Sequence, residues 1–138
     1  MTRYFYLDSS VAVRILLGHS DSAARWFDDT DKDEGSVLFS SRLLRTELTR
    51  VLRREGLPVE RRDEILDYLD IVPIDGAILA EAEAIIPHLK TLDAIHIASV
   101  IRSGLDATIV THDSTMQAVA RLIGYPTLDP IRSDEVDT

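Results

Sequence analysis

Two aspartates closely follow segments that are predicted to be β-strands. Asp8 comes directly after the aromatic-rich segment 3–7, and Asp113 comes two residues after the end of the β-branched segment 107–111. The second segment has the composition of a strand that is buried on both faces. Both carboxylates are therefore expected at the carboxyl ends of strands, although aspartate is also a common residue of turns and helix caps.

Two further acids interrupt the apolar faces of predicted helices. Glu47 shares a helical face with Leu44 and Leu48, and Asp93 shares one with Ile97. A carboxylate on an apolar face is costly unless a partner compensates it. Glu47 could instead reach water at the edge of its face, and Asp93 could favour the positive end of its helix, but a contact with the helix dipole does not require the inward face.

Four carboxylates gathered near one edge of a sheet would repel one another strongly without a cation. Mg²⁺ and Mn²⁺ are hard divalent ions, and carboxylates and water are suitable ligands for them. Such a site orients a phosphate, activates a water and stabilises the departing oxygen. The sequence therefore predicts metal-assisted hydrolysis of a phosphoester, with these catalytic and metal-binding residues: Asp8, Glu47, Asp93 and Asp113.

The pattern along the chain alternates strands with helices. Strands are predicted at 3–7, 36–39, 71–74, 107–111 and 126–128, and helices at 9–17, 22–29, 41–55, 58–69, 76–86, 91–102 and 114–122. This alternation favours parallel pairing with right-handed crossovers. We expect a three-layer α/β/α sandwich around a central, mainly parallel sheet of about five strands. One domain covers 1–132, and the acidic segment 133–138 is expected to fray.

Composition narrows the class of protein. The 138 residues favour one domain, and the absence of cysteine excludes disulfides and thiolate metal sites. The sequence has no signal-peptide pattern and no membrane-length apolar segment, so we expect a cytoplasmic protein. The net charge of −9 argues against broad nucleic-acid binding. However, acidic residues that hold a cation contribute to this negative charge, and arginines cluster between 42 and 62.

Four segments in order resemble the PIN-domain endoribonucleases, and most closely the VapC-type toxins of prokaryotic toxin–antitoxin pairs. Each segment alone is a weak signal, but together they keep the family's order and spacing over essentially the whole chain. The segments are Tyr6-Leu-Asp-Ser-Ser10, Ser41-Arg-Leu-Leu-Arg-Thr-Glu-Leu48, Thr91-Leu-Asp-Ala-Ile-His-Ile-Ala98 and Val110-Thr-His-Asp113.

The resemblance implies that the four acids carry Mg²⁺ or Mn²⁺ and that the hydroxyls of Ser9 and Thr111 support them. It also implies a PIN-like fold, a homodimer, an inhibitory antitoxin partner and a structured RNA substrate such as tRNA or rRNA. Some relatives have a further acid just after the position of Asp113, where this chain has Ser114, Thr115 and Met116. The number of metal ions therefore stays open.

Other polar residues have weaker signals. Arg42 and Arg45 flank Glu47 and are the best candidates for contacts with RNA phosphates, although a solvated helix face explains them equally simply. His96 follows Asp93 by three residues and is interpreted as a packed, hydrogen-bonded histidine rather than an acid or base. His112 is interpreted as a bystander in its loop.

Three other functions would also use an α/β layout of this kind. A signalling receiver domain needs paired acids after its first strand and a lysine after its last, and this chain has serines after Asp8 and no lysine near Asp129. A phosphatase with an aspartyl nucleophile needs a second acid at the position of Ser10. A non-catalytic PIN-like RNA-binding or scaffold domain remains the alternative, and it predicts the loss of an acid.

Overall fold

A parallel sheet of five strands forms the centre of the computed structural model, in the order β3-β2-β1-β4-β5. The structure describes residues 1–131, so the segment predicted to fray, 133–138, lies outside the described residues. The strands are β1 (Arg3–Leu7), β2 (Ser36–Ser41), β3 (Asp70–Val72), β4 (Ala107–Val110) and β5 (Thr127–Leu128). The predicted fold class is confirmed.

Helices connect the strands. They are α1 (Ser9–Leu16), α2 (Asp21–Lys32), α3 (Arg42–Arg54), α4 (Asp63–Leu66), α5 (Gly76–Glu83), α6 (Thr91–Ser103) and α7 (Ser114–Ile123). Both α6 and α7 end where predicted, at Gly104 and Gly124. These glycines adopt φ values of 69° and 113°, a left-handed conformation that side-chain-bearing residues rarely adopt.

One predicted helix is wrong. The segment 58–69 forms a 3₁₀ turn at Val59–Arg62 followed by the single turn of α4. The next backbone bonds, from Tyr68 to Ile65 and from Leu69 to Leu66, also run only three residues back. These three-residue hydrogen bonds end the helix early. The segment contributes Ile65 and Leu69 to the buried core.

The sheet separates two apolar layers, and β1 contributes alternately to both. Leu7 packs in the layer formed with α1 to α4, together with Leu44 and Leu48 of α3. Tyr6 packs in the opposite layer, where α6 contributes Ile97. Because successive strand residues point to opposite faces, α3 and α6 lie on opposite sides of the sheet. Side chains from both helices can meet only beyond the strand ends.

Among residues 1–131, no helix is both long and apolar enough to cross a membrane.

Candidate active site at the carboxyl ends of the strands

The strand order reverses beside β1, which has β2 on one side and β4 on the other. In such sheets the crevice for a ligand lies outside the carboxyl ends of the strands at this reversal. The backbone N–H of Asp8 donates to the carbonyl of Val110 at 3.0 Å, which places the residues after β1 directly beside those after β4. Asp8 and the loop to Asp113 are therefore neighbours.

Asp8 occupies the N-cap position of α1. Its side chain makes no capping bond to the helix within the described chain, and Oδ2 instead accepts hydrogen bonds from Ser10 Oγ and Thr111 Oγ1, both at 2.8 Å. The residue is only 2% exposed. Its Oδ1 atom is buried and has no hydrogen-bond partner among residues 1–131. A buried carboxylate oxygen without a hydrogen bond is costly, so this atom is a candidate for binding a ligand.

Glu47 reaches the same crevice from α3. Its Oε2 accepts a hydrogen bond from Ser9 Oγ at 3.0 Å, and its Oε1 lies 2.6 Å from His96 Nε2. The side chain is 17% exposed. The alternative that Glu47 simply reaches water from the edge of its apolar face does not describe this geometry, because both oxygens are held by protein groups.

Asp93 enters the crevice from the first turn of α6. Its pKa is raised from the usual 3.8 to about 6, first by burial and then by the charges of Asp8 and Asp113; Glu47 adds a smaller contribution, and His96 acts in the opposite direction. A helix N-terminus alone would lower the pKa of a carboxyl group. A raised pKa is instead that of a carboxylate that is buried beside other acids.

Asp113 both caps a helix and faces the crevice. Its Oδ1 accepts a hydrogen bond from the Met116 N–H at 2.9 Å at the start of α7, while its own N–H donates to Thr111 Oγ1. The neighbouring His112 places Nδ1 2.8 Å from Asp129 Oδ2, which ties this loop to the segment after β5. The capping role therefore accompanies a place in the acidic cluster rather than replacing it.

His96 is fully buried between β1 and α3. Its Nδ1 lies 2.6 Å from the Tyr6 hydroxyl, its Nε2 lies 2.6 Å from Glu47 Oε1, and Nε2 is 3.8 Å from Asp8 Oδ1. Burial alone lowers the pKa of His96, but Tyr6, the hydrogen bond to Glu47 and the charge of Asp8 outweigh it and raise the pKa well above 6.5. The predicted packed and hydrogen-bonded histidine is what the structure contains, and its partner belongs to the acidic cluster.

Comparison with known proteins identifies the family. The PIN-domain family model matches residues 5–122. The chain belongs to the PIN-domain family. Ribonucleases VapC47 and VapC46 of Mycobacterium tuberculosis are both 33% identical to this PIN domain, over 130 and 129 residues, with 91% of this chain and 96% of each relative covered. The predicted resemblance is confirmed.

Solved structures have the same fold. VapBC2 from Rickettsia felis, bound to a promoter DNA fragment, matches with a TM-score of 0.70 at 15% identity, covering 91% of this chain and 97% of that one. A toxin–antitoxin complex from Klebsiella pneumoniae matches with a TM-score of 0.67 at 17% identity, covering 91% and 96%.

All four acids of this PIN domain line one cleft of about 470 Å³. Arg42 and Arg45 are exposed and are not among the described residues of the cleft wall, and their contact with RNA phosphates stays a prediction. The basic residues that do line it are Arg14, Arg54 and Lys90.

The donors of this PIN domain fit a hard divalent cation. Among the described residues Asp8 Oδ1 is a buried carboxylate oxygen without a hydrogen bond, and the pKa of Asp93 is raised, first by burial and then by the charges of Asp8 and Asp113. Within residues 1–131, no three Asp, Glu or His side chains already stand in a geometry that could hold a metal ion. The residues that would hold the ion are Asp8, Glu47, Asp93 and Asp113.

Sequence reasoning missed Ser10 and Tyr6. Ser10 Oγ donates to Asp8 and accepts a hydrogen bond from the His112 N–H at 2.9 Å, so it helps to fix both loops. Spacing could have pointed to both residues, because each lies two positions from Asp8. Arg54 and Lys90 had no such signal, since their place in the cleft depends on how α3 and α6 converge.

Proposed function

We propose that this PIN domain is the toxic component of a type II toxin–antitoxin pair and acts as a Mg²⁺- or Mn²⁺-dependent endoribonuclease. The observation that carries the proposal is the single cleft lined by four acids from separate elements, with Asp8 Oδ1 buried and unpartnered among the described residues. The ribonuclease activity is supported by the relatives, which are named ribonucleases and align over 91% of this chain.

The proposed metal ligands are Asp8, Glu47, Asp93 and Asp113. When bound, a divalent ion lowers the pKa of a coordinated water and stabilises charge on the phosphate. Ser10 and Thr111 hold Asp8 Oδ2, so Oδ1, which has no hydrogen bond among the described residues, would be the oxygen that binds the ion. Ser9 holds Glu47 from one side, and each Glu47 oxygen keeps a lone pair for a ligand or a water.

A phosphodiester substrate is supported by the cations around the cleft. Arg14, Arg54 and Lys90 lie on its wall, where they can bind phosphates on either side of the cleaved bond. Their positive charge is local in a chain of net charge −9. Such a chain would bind RNA mainly near the cleft, which favours cleavage at a defined position in a structured RNA. The candidate substrates are tRNA and rRNA.

The proposed partner is an antitoxin protein that covers or distorts the cleft. The support is that two of the matching structures are described as a toxin–antitoxin complex and as VapBC2 bound to promoter DNA. The homodimer stays a prediction, to be measured by light scattering of the purified chain. The non-catalytic alternative predicts a missing acid, and all four acids are present in the cleft.

The test is RNA cleavage by the chain purified free of any antitoxin. Total RNA and purified tRNA are incubated with Mg²⁺ or Mn²⁺, with wild type, Asp8→Asn, and the exposed control Asp67→Asn. We expect discrete fragments from wild type and Asp67→Asn, and none from Asp8→Asn or after addition of a chelator. Equal cleavage by Asp8→Asn, or cleavage that survives the chelator, would contradict the proposal.

A further inference from the structure

A chain of buried hydrogen bonds links β1 to the acidic cleft. The Tyr6 hydroxyl lies 2.6 Å from His96 Nδ1, and His96 Nε2 lies 2.6 Å from Glu47 Oε1. Tyr6 and His96 are both completely buried. The Tyr6 ring also packs edge-on against Phe39 and His96, so this chain of hydrogen bonds lies within the apolar layer between the sheet and α6.

The direction of the bond to Glu47 follows from chemistry. A carboxylate has no hydrogen to donate, so the hydrogen between His96 and Glu47 must be on Nε2. In the neutral imidazole, Nδ1 is then the acceptor for the Tyr6 hydroxyl, which fixes this tautomer. In the charged imidazole Nε2 donates as well, so the bond to Glu47 has the same direction in either form.

Geometry distinguishes Glu47 from the other nearby acid. Nε2 is 2.6 Å from Glu47 Oε1 but 3.8 Å from Asp8 Oδ1, which is too long for a hydrogen bond. The imidazole therefore holds Glu47 and leaves Asp8 Oδ1 without a hydrogen bond among the described residues. Ser9 holds the second oxygen of Glu47 at 3.0 Å, so the carboxylate is fixed from two sides.

We infer that His96 is a positioning residue, fixed by Tyr6, that holds the Glu47 carboxylate in place for a divalent cation in the cleft. The inference rests on the proposed function. Outer groups that hydrogen-bond metal-ligating carboxylates orient them, and their loss typically costs about 10- to 100-fold in metal affinity or activity. A purely structural His96 would need only to satisfy Tyr6 inside the core.

Two amide substitutions separate these roles. The amide nitrogen of a glutamine can occupy the place of Nε2, whereas the shorter asparagine reaches only the place of Nδ1. His96→Gln therefore keeps a donor for Glu47, and His96→Asn keeps a partner for Tyr6 but leaves Glu47 without one. Both variants place a neutral amide in a buried site, so each is the other's control for the loss of the imidazole.

The experiment measures Mn²⁺ affinity by titration calorimetry at one pH, together with metal-free thermal unfolding and RNA cleavage. We expect His96→Asn to lose about 10- to 100-fold in Mn²⁺ affinity, and His96→Gln to bind clearly more tightly than His96→Asn. Equal affinities of the two folded variants would overturn the inference. A wild-type chain that neither binds Mn²⁺ nor cleaves RNA would instead overturn the proposed function.

A second measurement needs no variant at His96. Nitrogen NMR of His96 in the wild-type protein reports which ring nitrogen carries a hydrogen. Mg²⁺ is used because it is diamagnetic and leaves the signal observable. We expect a protonated Nε2 whose signal shifts on Mg²⁺ binding and shifts less in Tyr6→Phe, where the fixing hydroxyl is absent. A His96 signal that does not respond to saturating Mg²⁺ would overturn the positioning role.

Discussion

Thr111 Oγ1 donates a 2.8 Å hydrogen bond to Asp8 Oδ2 and thereby joins the loop after β4 to the residue after β1. The same hydroxyl accepts a hydrogen bond from the Asp113 N–H at 3.1 Å. Thr111 is fully buried. One side chain therefore sets the spacing of two of the proposed metal ligands.

Replacing Thr111 by valine keeps its shape and removes this hydroxyl. The Asp113 N–H then loses its partner; a buried unsatisfied group costs about 1–3 kcal/mol, and this partly buried one is at the lower end of that range. We expect Thr111→Val to lower both the free energy of unfolding and RNA cleavage, and Thr111→Ser, which keeps the hydroxyl, to retain more cleavage. Urea unfolding and a cleavage assay check this; a valine variant as active as the serine variant would contradict it.

Binding of a divalent cation should stabilise the folded chain. A ligand that binds only the folded state adds about 2.7 kcal/mol at a hundredfold excess over its Kd. We expect Mn²⁺ to raise the unfolding temperature of wild type and of the control Asp67→Asn, but not that of Asp8→Asn, since Asp8 supplies a buried oxygen that has no hydrogen bond among residues 1–131. A similar shift in all three proteins would place the bound ion outside the cleft.

Asp93 should make metal-free stability depend on pH. Its pKa is about 6 in the folded chain against the usual 3.8, so the folded state binds this proton more tightly than the unfolded state. The resulting stabilisation is fully present below about pH 4 and is lost as pH rises through about 6. Relative to Asp93→Asn, the unfolding temperature of wild type should therefore fall between about pH 4 and 7. A difference that is constant with pH would contradict the raised pKa.

Elements with strong local signals were predictable. The segment of β4 is β-branched and continuous, and α6 ends at a glycine with a left-handed backbone, so their positions follow from short-range chemistry. The segment 58–69 was not predictable. Its apolar residues suit a helix, but in the folded chain short turns bury Ile65 and Leu69, and the local pattern does not report these tertiary contacts.

The candidate site also has a part that the sequence could predict and a part that it could not. Glu47 and Asp93 were detectable because each interrupts an apolar helical face. The link from His96 to Glu47 joins residues 49 positions apart, and the two lie on helices from opposite sides of the sheet. Sequence periodicity reports which face a residue occupies on its own helix but not which residue it meets on another, so the partner of His96 could not be predicted.

The predicted and observed cations can be separated by charge-removing variants. Arg54 and Lys90 line the cleft, whereas Arg42 and Arg45 do not, and Arg53 is an exposed neighbour of Arg54 that also lies off the described cleft wall. We expect Arg54→Ala and Lys90→Ala to raise the KM for RNA and to reduce the salt dependence of binding, by about one unit of slope for each phosphate that the variant no longer binds.

The control Arg53→Ala removes the same charge one residue away, so it corrects for the change in net charge and in helix propensity. Arg42→Ala and Arg45→Ala test the sequence prediction directly. If the two of them weaken RNA binding while Arg54→Ala and Lys90→Ala do not, then the RNA backbone follows the exposed face of α3 rather than the cleft. If Arg54→Ala and Arg53→Ala weaken binding equally, the contribution of Arg54 is general electrostatic attraction, because a phosphate contact depends on position and overall charge does not.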